Sequence, residues 1–259
     1  MIKTLRRFSL IFNLKALLVT LAAVLSTYLC KRYGLAANLP LTLVATAVIF
    51  PIVFSISGAY KRRENALHQY GALKAHAKAI FFAVRDWLED PSDELVERAK
   101  VLLGDLFRAC RHLFEGPEKE LEKNEEAVYA QFSRISRFIR DDLRRNGLSS
   151  GEVSRCNQFL SKMMIAFETT KHVYQYRTPK TLRAFSDFFI VVLPIAYGPY
   201  FAYMASKSSS VLAYIMPVLL SVILVSLDNI QDHLENPFDQ IGEDDVTINA
   251  EKFVNRLGL

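Results

Sequence analysis

Hydrophobic residues are not spread evenly along the chain; they gather into four runs with few or no charges. These are Ala16 to Cys30, extended at its front by residues 8–13 across Lys15, then Leu39 to Ala59, Phe188 to Ala205 and Val211 to Leu227. Roughly 17–25 apolar residues cross the hydrocarbon layer of a bilayer, and a charge at its centre costs about 2.5–3.5 kcal/mol on insertion scales. The four runs therefore predict four membrane-spanning helices. The first run also has the form of a secretory leader, but it ends in Tyr28-Leu29-Cys30-Lys31-Arg32 without a small-x-small cleavage site, and a second span follows at once. A retained helix is expected.

Between Lys61 and Arg183 the pattern changes from continuous to periodic. Ala66, Leu67, Tyr70, Leu73, Ala77, Ile80, Phe81, Val84, Trp87 and Leu88 recur at steps of three and four, a stripe too broad for a lone surface helix. Stop signals fall at Asp90-Pro91-Ser92, Gly116-Pro117 and Asn146-Gly147, and Ser149 with Glu152 has the form of a capping box. They delimit helices from 61 to about 90, from Asp93 to Phe114, from Glu118 to Arg145 and from Ser149 to about Tyr176, with no strand pattern among them. The expected fold is all-α, a four-span membrane protein whose long helices continue into a cytoplasmic helical bundle. Its organisation is residues 1–60 for two spans, with the second at 39–59, then 61–183 for the helical region, 184–228 for the third and fourth spans, and 229–259 for an acidic tail.

Composition adds orientation. Half of the chain (51%) is apolar, yet 23% is charged, so the two kinds of residue are segregated. Lys3, Arg6 and Arg7 precede the first span, Lys61, Arg62 and Arg63 follow the second, and Lys180 and Arg183 precede the third, whereas the intervening loops hold only Lys31, Arg32 and Lys207. The positive-inside rule then places both termini and the middle region in the cytoplasm, with the chain in the cell (inner) membrane among its lipids. The net charge of +5 follows partly from those flanking residues and calls for no nucleic acid. Cys30, Cys110 and Cys156 form no close pair, which fits a reducing compartment and excludes a C-x-x-C metal or redox motif.

Catalytic chemistry finds no support. The histidines at 68, 76, 112, 172 and 233 are scattered, and neither H-E-x-x-H, G-x-S-x-G nor a Gly-rich phosphate loop occurs; no enzyme activity is expected. Two other features carry more. Thr46, Phe50 and Phe54 fall four apart on the second span and so share one stripe, which either packs against a neighbouring span or faces the axis of an oligomer. Pro51 is compatible with a bend there. After the fourth span, Asp228, Asp232 and Glu235 recur at steps of four and three, and Glu243-Asp244-Asp245 forms a compact acidic turn. Such a turn can hold calcium or dock on basic residues such as Arg6 and Arg7, and it lacks the regular spacing of an EF-hand.

Together these stretches resemble the bestrophin family of ion channels. Phe54, Tyr60, Arg62, Tyr70, Gly71 and Leu73 stand at the spacing of the pattern that follows the second span in prokaryotic members. Glu235-Asn236-Pro237-Phe238 with Glu243-Asp244-Asp245 resembles the family's E-x-P-F-G and its acidic sequel, and Arg177-Thr178-Pro179 its R-T-P-I-P. Arg63-Glu64 replaces a Trp pair, Val53 and Asp239 replace glycines, and Thr181 replaces the second proline, which marks a distant member. The resemblance implies a homopentamer conducting small ions passively, chloride being the expected permeant ion, with Thr46, Phe50 and Phe54 at a hydrophobic neck. It further implies a cytosolic aperture near Leu160 or Met164; Lys61, Arg62 and Arg63 are expected to bias the potential below the neck, while calcium at Glu243, Asp244 and Asp245 stays one of two readings of the acidic turn, since the departures from the family pattern leave calcium control and ion preference open. A cation-selective channel of the same fold and a non-conducting membrane-anchored scaffold remain the alternatives.

Overall fold

The computed structural model describes residues 13–207, 211–240 and 245–258. Among these are nine α-helices: α1 (Leu14–Arg32), α2 (Leu41–Asp86), α3 (Asp93–Glu115), α4 (Leu121–Arg137), α5 (Ser150–Gln175), α6 (Lys180–Ala196), α7 (Gly198–Lys207), α8 (Leu212–Glu235) and α9 (Ala250–Asn255). A short 3-10 turn (Glu118–Glu120) precedes α4 and a π-helical segment (Phe138–Leu143) follows it. No β-strand occurs among the described residues. The chain divides into two units, residues 1–61 with 177–235, and residues 62–176 with 236–259.

In the first unit α1 packs on α6, α7 and α8, and Ala16, Val19, Val48, Ile52, Ile190, Leu193, Phe201, Leu224 and Val225 form the core. Among the described residues four helical stretches can cross a membrane by length and composition, lying within Leu14–Arg32, Leu41–Asp86, Ser150–Lys207 and Ala213–Glu235. The outward face of α1 consists of Leu14, Leu17, Leu18, Leu21 and Leu25, each more than half exposed. A leucine face of that extent belongs in hydrocarbon, and the protein is an integral membrane protein.

The third apolar run is not one helix, as its hydropathy predicts, but two. α6 ends at Ala196, and α7 starts at Gly198. Pro199 has no N–H and so leaves the carbonyl of Ile195, four residues earlier, without its helical donor. The hydroxyl of Ser26 on α1 donates to that carbonyl at 2.8 Å. Gly198 lies so close to α1 that a Cβ there would meet Ser26 Oγ at 2.3 Å. Pro51, Pro194 and Pro217, in contrast, sit inside continuous helices.

In the second unit the later part of α2 packs with α3, α4 and α5 around Phe107, Phe132, Phe167, Leu103, Leu106 and Ile139. Ser92 caps α3 by accepting from the Leu95 N–H, and Ser149 and Glu152 form the expected capping box. α2 ends at Asp86, four residues before the stop that Pro91 signals. The predicted 118–145 helix begins as a 3-10 turn and finishes as the π-helical segment. α4 and α5 are tied by a half-buried knot in which Lys171 donates to Glu125 at 2.8 Å and Tyr129 donates to Glu168 at 2.5 Å.

The segment after α8 is not a detached acidic tail. From Asn236 onward it belongs to the second unit, where Phe238, Val246, Ile248, Phe253 and Leu257 are all buried. Phe238 stacks on Phe114 with centroids 4.8 Å apart, Phe253 lies 4.1 Å from Phe107, and the Asn249 N–H donates to the Tyr70 hydroxyl at 3.2 Å. Its apolar residues are thus part of the bundle core.

Candidate pore-lining face and its charged anchor

On α2 the spacing sorts residues cleanly by face. Val48, Ile52, Ser55 and Ala59 are buried, whereas Leu43, Thr46, Phe50, Phe54, Ser57, Lys61, Glu64 and His68 are exposed at steps of three and four. Phe50 is 62% exposed and Phe54 61%. Their rings meet edge to face with centroids 4.7 Å apart, so the two side chains support each other rather than pack on a neighbouring helix. The Thr46 hydroxyl donates to the Thr42 carbonyl at 2.7 Å, which satisfies it within its own helix. Pro51 is half-buried, and its ring removes the N–H that would bond the Ala47 carbonyl. Unlike the leucine face of α1, this one mixes aromatic rings with Thr42, Thr46 and Ser57.

Past the apolar stretch the same stripe turns polar. Lys61 is exposed and Arg62 and Arg63 are half-buried; Arg63 pairs with Glu64 at 2.7 Å, which offsets part of the positive charge. The two candidate aperture residues separate. Leu160 is buried in the bundle core, whereas Met164 is 37% exposed. Beside it Ile165 is 62% exposed, a residue that sequence reasoning missed. The run Met163-Met164-Ile165 held the signal, since three consecutive side chains span about 200° of a helix and cannot all turn into one core; Met163 is the buried one.

Of the acidic turn, Glu243 and Asp244 lie outside the described residues, and Asp245 is half-buried. Among the described residues no group of three or more His, Cys, Asp or Glu side chains is placed to hold a metal ion.

The structure also brings together charges that the sequence reading left apart. Arg183 at the start of α6 reaches Asp228 at 3.6 Å, Asp187 at 3.2 Å, Glu235 at 3.5 Å and also Asp232. Asp228 is fully buried and accepts from Lys15 at 2.5 Å, and Asn13 donates to Asn229 at 2.8 Å. A charge at a membrane-helix end is costly unless paired, so Lys15 inside the first apolar run and Asp228 closing the fourth were the readable signals. Together they join α1, α6 and α8.

No protein-family model matches the sequence, and no curated protein matches it by sequence. Solved structures do match by fold. A bacterial bestrophin homologue from Klebsiella pneumoniae, in one single-substitution form, aligns with TM-score 0.75 at 16% identity, covering 94% of this chain and 97% of that one. A second variant of it aligns with TM-score 0.76 at 16% identity over 94% and 96%. A crystal structure described as a membrane protein aligns with TM-score 0.75 at 18% identity over 94% and 96%. With four membrane-crossing stretches, a helical bundle and a C-terminal segment folded into that bundle, the chain has the bestrophin fold.

Proposed function

We propose that the chain is a bestrophin-like channel that assembles as a homopentamer around α2 and conducts chloride or another small anion passively. The observation that carries this reading is the pair Phe50 and Phe54, two large rings left mostly exposed on one face of the longest helix and packed edge to face on each other. Around a shared axis, copies of this pair would stack two rings of phenyl groups, a hydrophobic constriction of the kind that gates by dewetting. Ring edges carry partial positive charge and can meet a partly dehydrated anion. Thr46 then forms a more polar outer neck, and Lys61, Arg62 and Arg63 bias the potential beyond it. In the bundle the aperture is set by Met164 and Ile165 instead of Leu160. Both termini face the cytoplasm on this reading, and calcium acts at the turn holding Glu243, Asp244 and Asp245.

Oligomer mass in mild detergent together with chloride efflux from liposomes tests the proposal. A pentamer whose Phe50→Ala/Phe54→Ala variant conducts more than the parent supports it, whereas a monomer without flux favours the scaffold alternative. Reversal potentials in asymmetric potassium chloride decide the sign of the permeant ion, and a shift toward the potassium potential would replace the anion with a cation. Currents that do not respond between chelated and millimolar calcium remove calcium from the acidic turn.

A further inference from the structure

At the end of the bundle where α2 gives way to α3, a groove of about 420 Å³ runs between the first turns of α3 and the end of α4 with its π-helical segment. Arg98 and Leu102 line one wall; Arg134, Arg137, Phe138, Asp141, Asp142 and Arg145 line the other. The second wall is a single stripe, since its members recur at steps of three and four along the chain. From residue 134 to 145 the basic residues are all arginine. Arginine at every position is the choice for planar, two-pronged recognition of oxyanions rather than for general solubility.

The ion pairs leave most of this charge unspent. Asp142 is taken by Arg98 at 3.2 Å, and Asp141 by Arg140, which sits outside the groove, at 2.7 Å. Arg134 reaches only Gln131 at 3.5 Å, and Arg137 and Arg145 make no hydrogen bond or ion pair among the described residues. Four arginines against two aspartates leave the lining at +2 (4 − 2). Asp141 records the field: Arg140 first, then Arg145 and Arg137, hold its carboxyl below the usual range. Like charges one turn apart repel unless an anion sits between them. The wall itself is built on a π-helical turn, a feature found mostly where a helix has been re-registered for a site.

We propose that this groove binds a soluble small molecule carrying a diphosphate group. Its net positive charge suits an anion, its volume falls within the range of small-ligand sites of about 300–1,000 Å³, and Arg137 and Arg145, eight residues apart on one wall, offer two guanidinium forks that a ligand with two linked phosphoryl groups can engage together. The aspartates keep it from being a uniform polyanion track, which fits a discrete ligand better than a long nucleic acid.

The test is calorimetric titration of the full chain, in phosphatidylcholine nanodiscs at physiological chloride, with inorganic pyrophosphate. Binding should weaken about tenfold in Arg137→Gln and in Arg145→Gln, as expected for loss of one charge-assisted contact. Arg144→Gln makes the same charge change next door but outside the lining, and should stay within about twofold. Absence of binding, or equal losses in Arg144→Gln and Arg145→Gln, would overturn the site. A parallel arm with short-chain phosphatidic acid separates the sources: binding of that lipid without pyrophosphate would refute a soluble ligand. An altered oligomer mass in Arg137→Gln and Arg145→Gln, with pyrophosphate affinity unchanged, would show instead a contact between subunits.

Discussion

Adding a single methyl group at Gly198 tests how the first unit is closed. A Cβ there would sit 2.3 Å from Ser26 Oγ, 3.0 Å from the Ser26 carbonyl carbon and 3.1 Å from its Cβ. Rotating the hydroxyl away relieves the first contact but gives up its bond to the Ile195 carbonyl, and the two carbon contacts persist. Overpacking costs about 1–3 kcal/mol. An interhelical hydrogen bond within a membrane protein contributes about 0.6 kcal/mol and at most about 1.7. Gly198→Ala should therefore cost about 2–5 kcal/mol by these two terms, and Ser26→Ala, which only strands the carbonyl, about 0.6–1.7. The double variant has neither the hydroxyl clash nor a bond left to lose, so its cost should fall short of the sum by about 1 kcal/mol or more. Unfolding in graded mixtures of dodecyl maltoside and SDS, followed by helical circular dichroism, measures all four corners of the cycle. Strict additivity, or a Gly198→Ala variant as stable as the parent, would refute the argument that Pro199, Gly198 and Ser26 act as one joint.

Lys15→Met should destabilise the first unit by about 1–3 kcal/mol, less than the roughly 3–5 kcal/mol of a broken, fully buried pair, because Lys15 is itself 37% exposed and Arg183 still reaches Asp228; unfolding in mixed micelles at the parent level would refute it. Phe238→Ala removes a fully buried ring stacked on Phe114 and should cost about 3–5 kcal/mol. Hydrogen exchange of residues 245–258 should then accelerate, and unchanged protection would mean that the segment is held elsewhere. Glu168 is affected first by burial, which raises its pKa, but its bonds to Lys171 and Tyr129 outweigh this and hold it low. A depressed carboxylate stabilises above the ordinary glutamate range and loses that contribution as pH falls through its folded value. Melting temperature should accordingly drop on acidification in the parent and less so in Lys171→Met; identical acid limbs would contradict the pairing. Burial pushes the Cys110 thiol up to about 12 and Cys156 to about 11, so neither should react with iodoacetamide at neutral pH until the bundle unfolds, as mass spectrometry of the labelled protein will show.

Local signals read well where the chain decides matters by itself. The capping box at Ser149 and Glu152, the Ser92 cap and the four apolar runs all rest on residues within one or two turns of each other, and the structure has each of them. Signals that depend on a distant partner read poorly. Five prolines fall in the apolar runs; Pro40 precedes the first residue of α2, and of the other four only Pro199 accompanies a break, where Ser26, far away in sequence, supplies the donor for the freed carbonyl. Leu160 and Met164 lie one turn apart on α5, and periodicity alone cannot tell which of two neighbouring apolar residues turns inward. Phe50 and Phe54 were legible as a stripe, but spacing alone does not say which faces other described helices cover, and these two rings are left exposed. The arginine groove escaped notice because its two walls, at Arg98 and Arg145, are separated by α3 and α4 and meet only after folding.

The burial of Phe238, Val246 and Phe253 in the bundle fixes an order of events during synthesis. Residues 62–176 leave the ribosome before α6, α7 and α8 exist, but their hydrophobic centre is completed only by the segment that follows α8. Until then Phe107 and Phe114 lack the rings that cover them, so a nascent chain holds a sticky, half-built bundle while its final spans insert. Insertion of the third and fourth spans is therefore a checkpoint that the water-exposed part must wait for, and a stalled or prematurely ended chain would present that open surface to chaperones and proteases.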